Sequence, residues 1–247
     1  MVSNNYFREG GAAYALRRPT YPSSLTQALA DLVPSRRLAV DVGCGTGQLS
    51  VALAEHFDRV IATDLSDDQI KHAETRANLE YRAEPAEKMS VASDSVDLIV
   101  TAQAAHWFDL DRFYAEARRI AKEGAAIALI SYGVPSLDSE VDPVFQNFYW
   151  NELHRYWPPE RKHVENGYAS LHFPFGPIEF PATLIQRDWN LSQLLGYIET
   201  WSAVKQATES GNAELLASFR SALTEAWADP ETVCAVRWPI AVRAAYL

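Results

Sequence analysis

Five residues carry the most legible chemistry in this chain: Asp41, Gly43, Gly45, Gly47 and Asp64. The first four lie in Leu38-Ala-Val-Asp-Val-Gly-Cys-Gly-Thr-Gly-Gln48, an apolar run that meets a carboxylate and then three glycines at alternate positions. A helix-capable stretch, Gln48 to Glu55, follows. The pattern predicts a strand, a tight turn and a helix N-terminus, the place where open α/β sheets bind nucleotide-like ligands. Glycine lets such a turn take positive φ and lets a ligand approach the main chain closely. A second strand-like run, Arg59-Val-Ile-Ala-Thr-Asp64, ends in a carboxylate seventeen residues after Gly47. A carboxylate accepts two hydrogen bonds from a cis-diol. Taken alone, the glycines also suit an ordinary turn, and Asp64 suits a helix N-cap before Asp67-Asp-Gln-Ile70.

The ligand class follows from what the motif lacks. The dinucleotide fingerprint Gly-x-Gly-x-x-Gly needs a third glycine at 48 or 50, where Gln48 and Ser50 stand. Asp41 beside the turn would repel a pyrophosphate and suits a cationic ligand. S-adenosylmethionine, which carries a sulfonium and an ammonium and no phosphate, has that character. Val40–Gln48 resembles the Asp-x-Gly-x-Gly-x-Gly motif of the S-adenosylmethionine-dependent methyltransferases with a Rossmann-like fold. The resemblance implies that the glycine turn passes under the cofactor and that Asp64, with Leu65 beside it, holds the ribose end.

Further motifs resemble the small-molecule branch that includes the trans-aconitate methyltransferases: Tyr14-x-x-x-Arg18-Pro-x-Tyr-Pro22, Pro85-Ala-Glu87, Gln103-Ala-Ala-His-Trp-Phe108 and Thr200-Trp-Ser-Ala203. By this resemblance Tyr14, Arg18 and Tyr21 form an N-terminal lid, with Arg18 pairing a carboxylate of cofactor or substrate and Tyr21 facing the acceptor. Gln103 meets the amino-acid part of the cofactor. His106 and Trp107 lie near the transferable methyl, His106 as the candidate general base. Many relatives carry an acidic or amide residue for the adenine amino group where this chain has Pro85, which offers no N–H and no polar side chain. Adenine recognition then falls to the Ala86 amide, to Glu87 or to another group. Tyr132, Trp150, Tyr168, Tyr197 and Trp201 are candidate walls of the acceptor pocket.

The elements that must position these residues follow the periodicity. Strands are expected over 38–42, 59–64, 79–83, 95–101 and 125–132, alternating with helices over 47–56, 67–77 and 109–121, after a first helix over 24–32. Such alternation predicts a parallel sheet. The expectation is an α/β fold: a mostly parallel, seven-stranded Rossmann-like sheet flanked by helices, with a helical, aromatic insertion after strand five. Within one domain, 1–33 form a lid and helix, 34–132 the cofactor-binding core, 133–181 a substrate-covering insertion with a helix over 142–156, and 182–247 the closing elements. These last are strands over 182–189 and 234–242, with helices over 191–206 and 213–228 between them.

Bulk composition bounds the partners. Of 247 residues, 48% are hydrophobic and 22% charged, with a formal net charge of −10. An acidic balance argues against long nucleic-acid or anionic-membrane surfaces. Two cysteines, Cys44 and Cys234, make no disulfide framework, and no Cys/His cluster has metal-ligand spacing. The N-terminus has no hydrophobic signal core, so the cytoplasm is the expected compartment. The resulting expectation is methyl transfer from S-adenosylmethionine to a small, anionic or phenolic acceptor, by a monomer or homodimer that needs no metal. The alternatives are a macromolecular acceptor, a non-catalytic cofactor-binding role, and a nicotinamide oxidoreductase, which the glycine spacing disfavours.

Overall fold

Short apolar strands buried on both faces can pair only inside a sheet covered by helices, and the central strands here are of that kind. In the computed structural model, which describes residues 19–137 and 140–247, β1 (Leu38–Val42) and β4 (Val96–Ala102) are buried almost throughout. They pair in parallel through Ala39–Leu98, Val40–Ile99 and Asp41–Val100. On one side lie β2 (Arg59–Asp64) and β3 (Leu79–Ala83), on the other β5 (Ala121–Tyr132), all parallel to β1. α1 (Ser23–Ala30) precedes β1, and α2 (Gln48–Leu53), α3 (Asp67–Lys71) and α4 (Leu110–Ile120) connect strands of this half. Strand order reverses between β1 and β4, which opens a crevice at their carboxyl ends.

The closing elements are β6 (Ser136–Leu137), β7 (Thr183–Trp189) and β8 (Cys234–Tyr246). The sheet therefore has eight strands rather than the expected seven, because a two-residue strand, β6, joins its end. β8 is long enough to serve three partners. Its second half pairs antiparallel with β5, and its first half pairs with both β6 and β7.

Between β6 and β7 the chain runs helically from 142 to 156, as α5 (Asp142–Asn147), a π-helical turn (Phe148–Leu153) and a 3-10 turn (His154–Tyr156). A short helix, α6 (Arg161–Glu165), follows. The helix expected over 191–206 is two, α7 (Leu191–Ile198) and α8 (Ser202–Glu209), broken where Trp201 takes an extended backbone; α9 (Glu214–Trp227) precedes β8. α3 ends at Lys71, well short of 77, and β5 begins at Ala121, upstream of Gly124.

Side-chain alternation along the strands sends apolar groups to two faces. Ala39, Val60, Leu98 and Val100 pack with Leu25, Leu29, Leu49 and Leu53 of α1 and α2, whereas Val40, Val42, Ile61 and Ile99 pack with Phe113, Ile120 and Tyr168. A third core holds the inserted helices to β7 and β8 through Phe145, Phe148, Tyr149, Tyr197, Trp201 and Trp238. Among the described residues no helix is long and apolar enough to cross a membrane.

Candidate functional site

The turn after β1 is built on main-chain hydrogen bonds. Gly43 N and Cys44 N both donate to the Thr63 carbonyl, at 2.7 and 2.9 Å, which joins the turn to the end of β2. Gly45 N donates to Asp64 Oδ2 at 2.8 Å, and Ser66 N donates to Asp64 Oδ1 at 2.8 Å. Asp64 thus braces the turn with one oxygen and the following loop with the other. Gly43 and Gly47 are glycines because the protein itself crowds them. A Cβ on Gly43 would lie 2.5 Å from the Ala104 methyl, and one on Gly47 would overlap the Tyr81 hydroxyl. The corresponding side of Gly45 is open, with Gln69 Oε1 at 3.9 Å the nearest atom.

Asp41, directly before the turn, is buried. Ser50 Oγ, on the first turns of α2, donates to its Oδ2 at 2.6 Å, while Oδ1 has no hydrogen-bond partner among the described residues. Burial, with the Asp64 charge adding to it, pushes the Asp41 carboxyl up to about 7 despite the Ser50 bond. The Cys44 thiol is likewise pushed up, chiefly by burial, which makes it a packing group rather than a nucleophile.

The segment after β4 forms the facing wall. Gln103 adopts left-handed backbone (φ 58°), its N–H donates to Ile130 O at 2.9 Å, and its side-chain amide donates to Tyr132 O at 2.8 Å. Tyr21 meets Tyr132 edge to face at 6.2 Å, so Gln103, Tyr132 and Tyr21 form one group at the end of β5. A 3-10 turn, Ala105–Trp107, then presents His106, whose Nδ1 lies 2.9 Å from the Tyr168 hydroxyl. Burial, and after it the Arg161 and His163 charges, hold His106 down at about 3, so the imidazole is neutral at physiological pH. Tyr168 is fully buried and its phenol is raised by that burial. Trp107 is 41% exposed and packs on His106 at 4.8 Å between ring centres.

Other expected site residues stand as follows. Leu65, next to Asp64, is 76% exposed, an apolar surface beside that carboxylate. Ala86 is buried against Met89 and Val91. Glu87 accepts from Asp109 N at 2.9 Å and so secures the start of α4. Trp150 is exposed on the inserted helix, where its indole N–H donates to Gln146. Trp201 is not at a surface: it is buried within the third core against Phe145, Tyr149, Trp157 and Tyr197. Tyr14 and Arg18 lie outside the described residues.

Sequence reasoning did not single out Ser50, Tyr81, Trp157 or Arg161. Ser50 was legible in principle, since a hydroxyl nine residues after a strand carboxylate falls on the helix face that returns to the strand. Tyr81 and Arg161 come from separate elements, and only the fold brings them here. The unpartnered Oδ1 of Asp41, the open side of Gly45 and exposed Leu65 beside Asp64 fit a ligand with a cationic head, a diol and a flat apolar ring.

Known proteins are similar to this chain in sequence and fold. The methyltransferase-domain family matches residues 40–129, the span from β1 through most of β5. A Dictyostelium discoideum protein described as a methyltransferase is 34% identical over 219 residues, covering 87% of this chain and 83% of that protein. A solved structure from Anaeromyxobacter dehalogenans, described as a type II methyltransferase, is 46% identical, with a TM-score of 0.87 over 93% of this chain and 97% of that one. A Saccharomyces cerevisiae protein described as S-adenosylmethionine-dependent is 28% identical over 57% of this chain and 52% of its own length. With its glycine turn at the crevice between β1 and β4 and relatives matched along most of their length, the chain belongs to the S-adenosylmethionine-dependent methyltransferases of the Rossmann-like class.

Proposed function

We propose that this chain binds S-adenosylmethionine at the β1 turn and methylates a small organic acceptor, with a carboxylate oxygen as the favoured nucleophile. When bound, the cofactor supplies an activated methyl group on sulfur. Asp41, the Gly45 main chain, Asp64 and Leu65 are the residues that would hold it, joined by Gln103 and, by family resemblance, the lid residues Tyr14 and Arg18. An ammonium or sulfonium near Asp41 would favour the ionised carboxylate that burial alone disfavours.

His106 carries the acceptor reading. A general base works best with a pKa near the operating pH. His106 is held at about 3 by burial, which makes it a feeble proton acceptor. Its bond to Tyr168 fixes the ring, so its part is to orient a bound group by hydrogen bonding. An acceptor already ionised at neutral pH needs no base, and a carboxylate meets that condition. The same reasoning supports the resemblance to the trans-aconitate branch. The net charge of −10 works against a polyanionic acceptor such as nucleic acid.

Titration calorimetry of S-adenosylmethionine and S-adenosylhomocysteine against wild type and Asp64→Ala tests the cofactor site. Micromolar binding to wild type, weakened at least tenfold in the variant, is the expected result. No binding of either ligand to folded wild type would overturn the reading.

A further inference from the structure

Arg161, which opens α6, is placed unusually for a surface-helix arginine. Its guanidinium carbon sits 4.4 Å from the centre of the Trp157 ring and 5.7 Å from that of Tyr149, and its side chain is only 18% exposed. Its Nε donates to the Tyr149 hydroxyl at 2.9 Å. The neighbouring acid, Glu165, accepts from the Tyr149 hydroxyl at 2.6 Å and meets His154 Nε2 at 3.3 Å, with Arg161 Nε at 3.8 Å. Among the described residues the two terminal Nη groups of Arg161 have no acceptor, which leaves the fork that binds carboxylates bidentately open to one. Against the same guanidinium lies a second donor: the Trp157 indole N–H is buried and has no hydrogen-bond partner among the described residues. Buried donors are satisfied in the great majority of proteins, and an orphan asks for a missing acceptor.

These donors stand beside the candidate site. Val164, one turn after Arg161, packs in the same core as Tyr168, and Tyr168 N donates to His163 O at 2.7 Å. The Tyr168 hydroxyl in turn meets His106. The Arg161 charge is felt at both His106 and Tyr168. The Arg161 guanidinium at the start of α6 and the indole N–H of Trp157, four residues before it, therefore lie on the side of the fold that holds the His106–Tyr168 pair.

We infer that Arg161 and Trp157 form the acceptor's anion-binding subsite, receiving a carboxylate through the Arg161 fork and the Trp157 indole N–H. The inference rests on the methyltransferase reading above and names the residues that would select its acceptor.

The test loads the protein with S-adenosylhomocysteine and titrates benzoate, trans-aconitate and, as the uncharged control, benzamide. Heat is measured, and the Trp157 indole proton is followed by NMR after assignment with Trp157→Phe. Wild type is expected to bind at least one carboxylate and to prefer benzoate over benzamide, with the Trp157 indole signal moving downfield. Arg161→Gln should lose about tenfold or more in carboxylate affinity, with the preference over benzamide abolished. Arg161→Lys should recover part of that loss, and Trp157→Phe should lose severalfold. S-adenosylhomocysteine should bind all variants as it binds wild type, which also shows that they are folded. The inference is overturned if the loaded wild type binds neither carboxylate, or if Arg161→Gln keeps the wild-type preference for charge. Failure of S-adenosylhomocysteine to bind wild type is a different result, and it removes the cofactor reading itself.

Discussion

Asp64 Oδ2 accepts a hydrogen bond from Gly45 N at 2.8 Å, so the carboxylate that ends β2 also closes the turn that follows β1. With Oδ1 engaged by Ser66 N, the same side chain holds two backbone donors in place before any ligand arrives. Asp64→Ala should therefore cost stability, by about 1–3 kcal/mol from two hydrogen bonds to a charged group in a half-buried place, in addition to its effect on cofactor affinity. Asp64→Asn, which keeps one acceptor oxygen, should lose less. Urea denaturation read beside calorimetry separates the two effects.

The three glycines should rank by their surroundings rather than by the motif. Each has positive φ, so alanine at any of them costs about 1–2 kcal/mol in backbone strain. Gly43→Ala and Gly47→Ala add collisions with Ala104 and Tyr81, for about 1–3 kcal/mol more. Gly45→Ala has room, and should give a folded protein whose main defect is ligand approach to the main chain. Thermal melts of the three variants check the order.

Asp41 and His106 should tilt the pH dependence of stability in opposite directions. The Asp41 carboxyl is raised from 3.8 to about 7, so between those values the native state holds a proton that the unfolded chain releases. Its contribution is complete below pH 3.8 and is lost as pH rises towards 7. The His106 imidazole is lowered from 6.5 to about 3, so across that window the unfolded chain holds the extra proton. Its contribution is complete above pH 6.5 and is lost as pH falls towards 3. The two oppose each other between about pH 4 and 6.5. Asp41→Asn should leave a stability that climbs with pH over this window, and His106→Gln one that declines. Chemical denaturation at half-unit pH steps measures both slopes; parallel slopes in the two variants would refute the assignment.

Gln103 combines a strained backbone with a useful side chain. Its φ of 58° costs about 1 kcal/mol for a non-glycine residue, while its amide bond to Tyr132 O contributes a similar amount. Gln103→Ala keeps the strain and loses the bond, and should destabilise by about 1 kcal/mol. Gln103→Gly loses both and should be close to neutral. Equilibrium unfolding of the pair decides whether this residue's geometry is held by its own amide.

How much of this was legible beforehand differs by distance along the chain. The strands from 38 to 132 emerge from apolar runs of a few residues between turn signals, and β1, β2 and β3 have the bounds that periodicity predicts. The single helix expected over 191–206 fails because one apolar face continues across a break that Trp201 makes by burying itself in the third core. The same residue looked like a pocket wall for the same reason, since aromatic content says nothing about which way a ring faces. The pairing of His106 with Tyr168 spans sixty-two residues and depends on where the inserted segment returns to the sheet. The glycine turn could be read because its chemistry is local, and the Arg161 donors could not because theirs is assembled.

The long strand β8 also dictates when the sheet can close during synthesis. Tyr132 on β5 pairs with Ile240 on β8, and β7 pairs with the same strand from its other side. At about 5–20 residues per second, β5 leaves the ribosome roughly 5–20 s before its partner exists. Through that interval the parallel half of the sheet, glycine turn included, has an open edge beside inserted helices whose third-core partners on β7 and β8 are not yet made. The nascent chain is thus at its most vulnerable to aggregation after its cofactor motif is complete, and a chaperone that shields the β5 edge would protect the whole molecule.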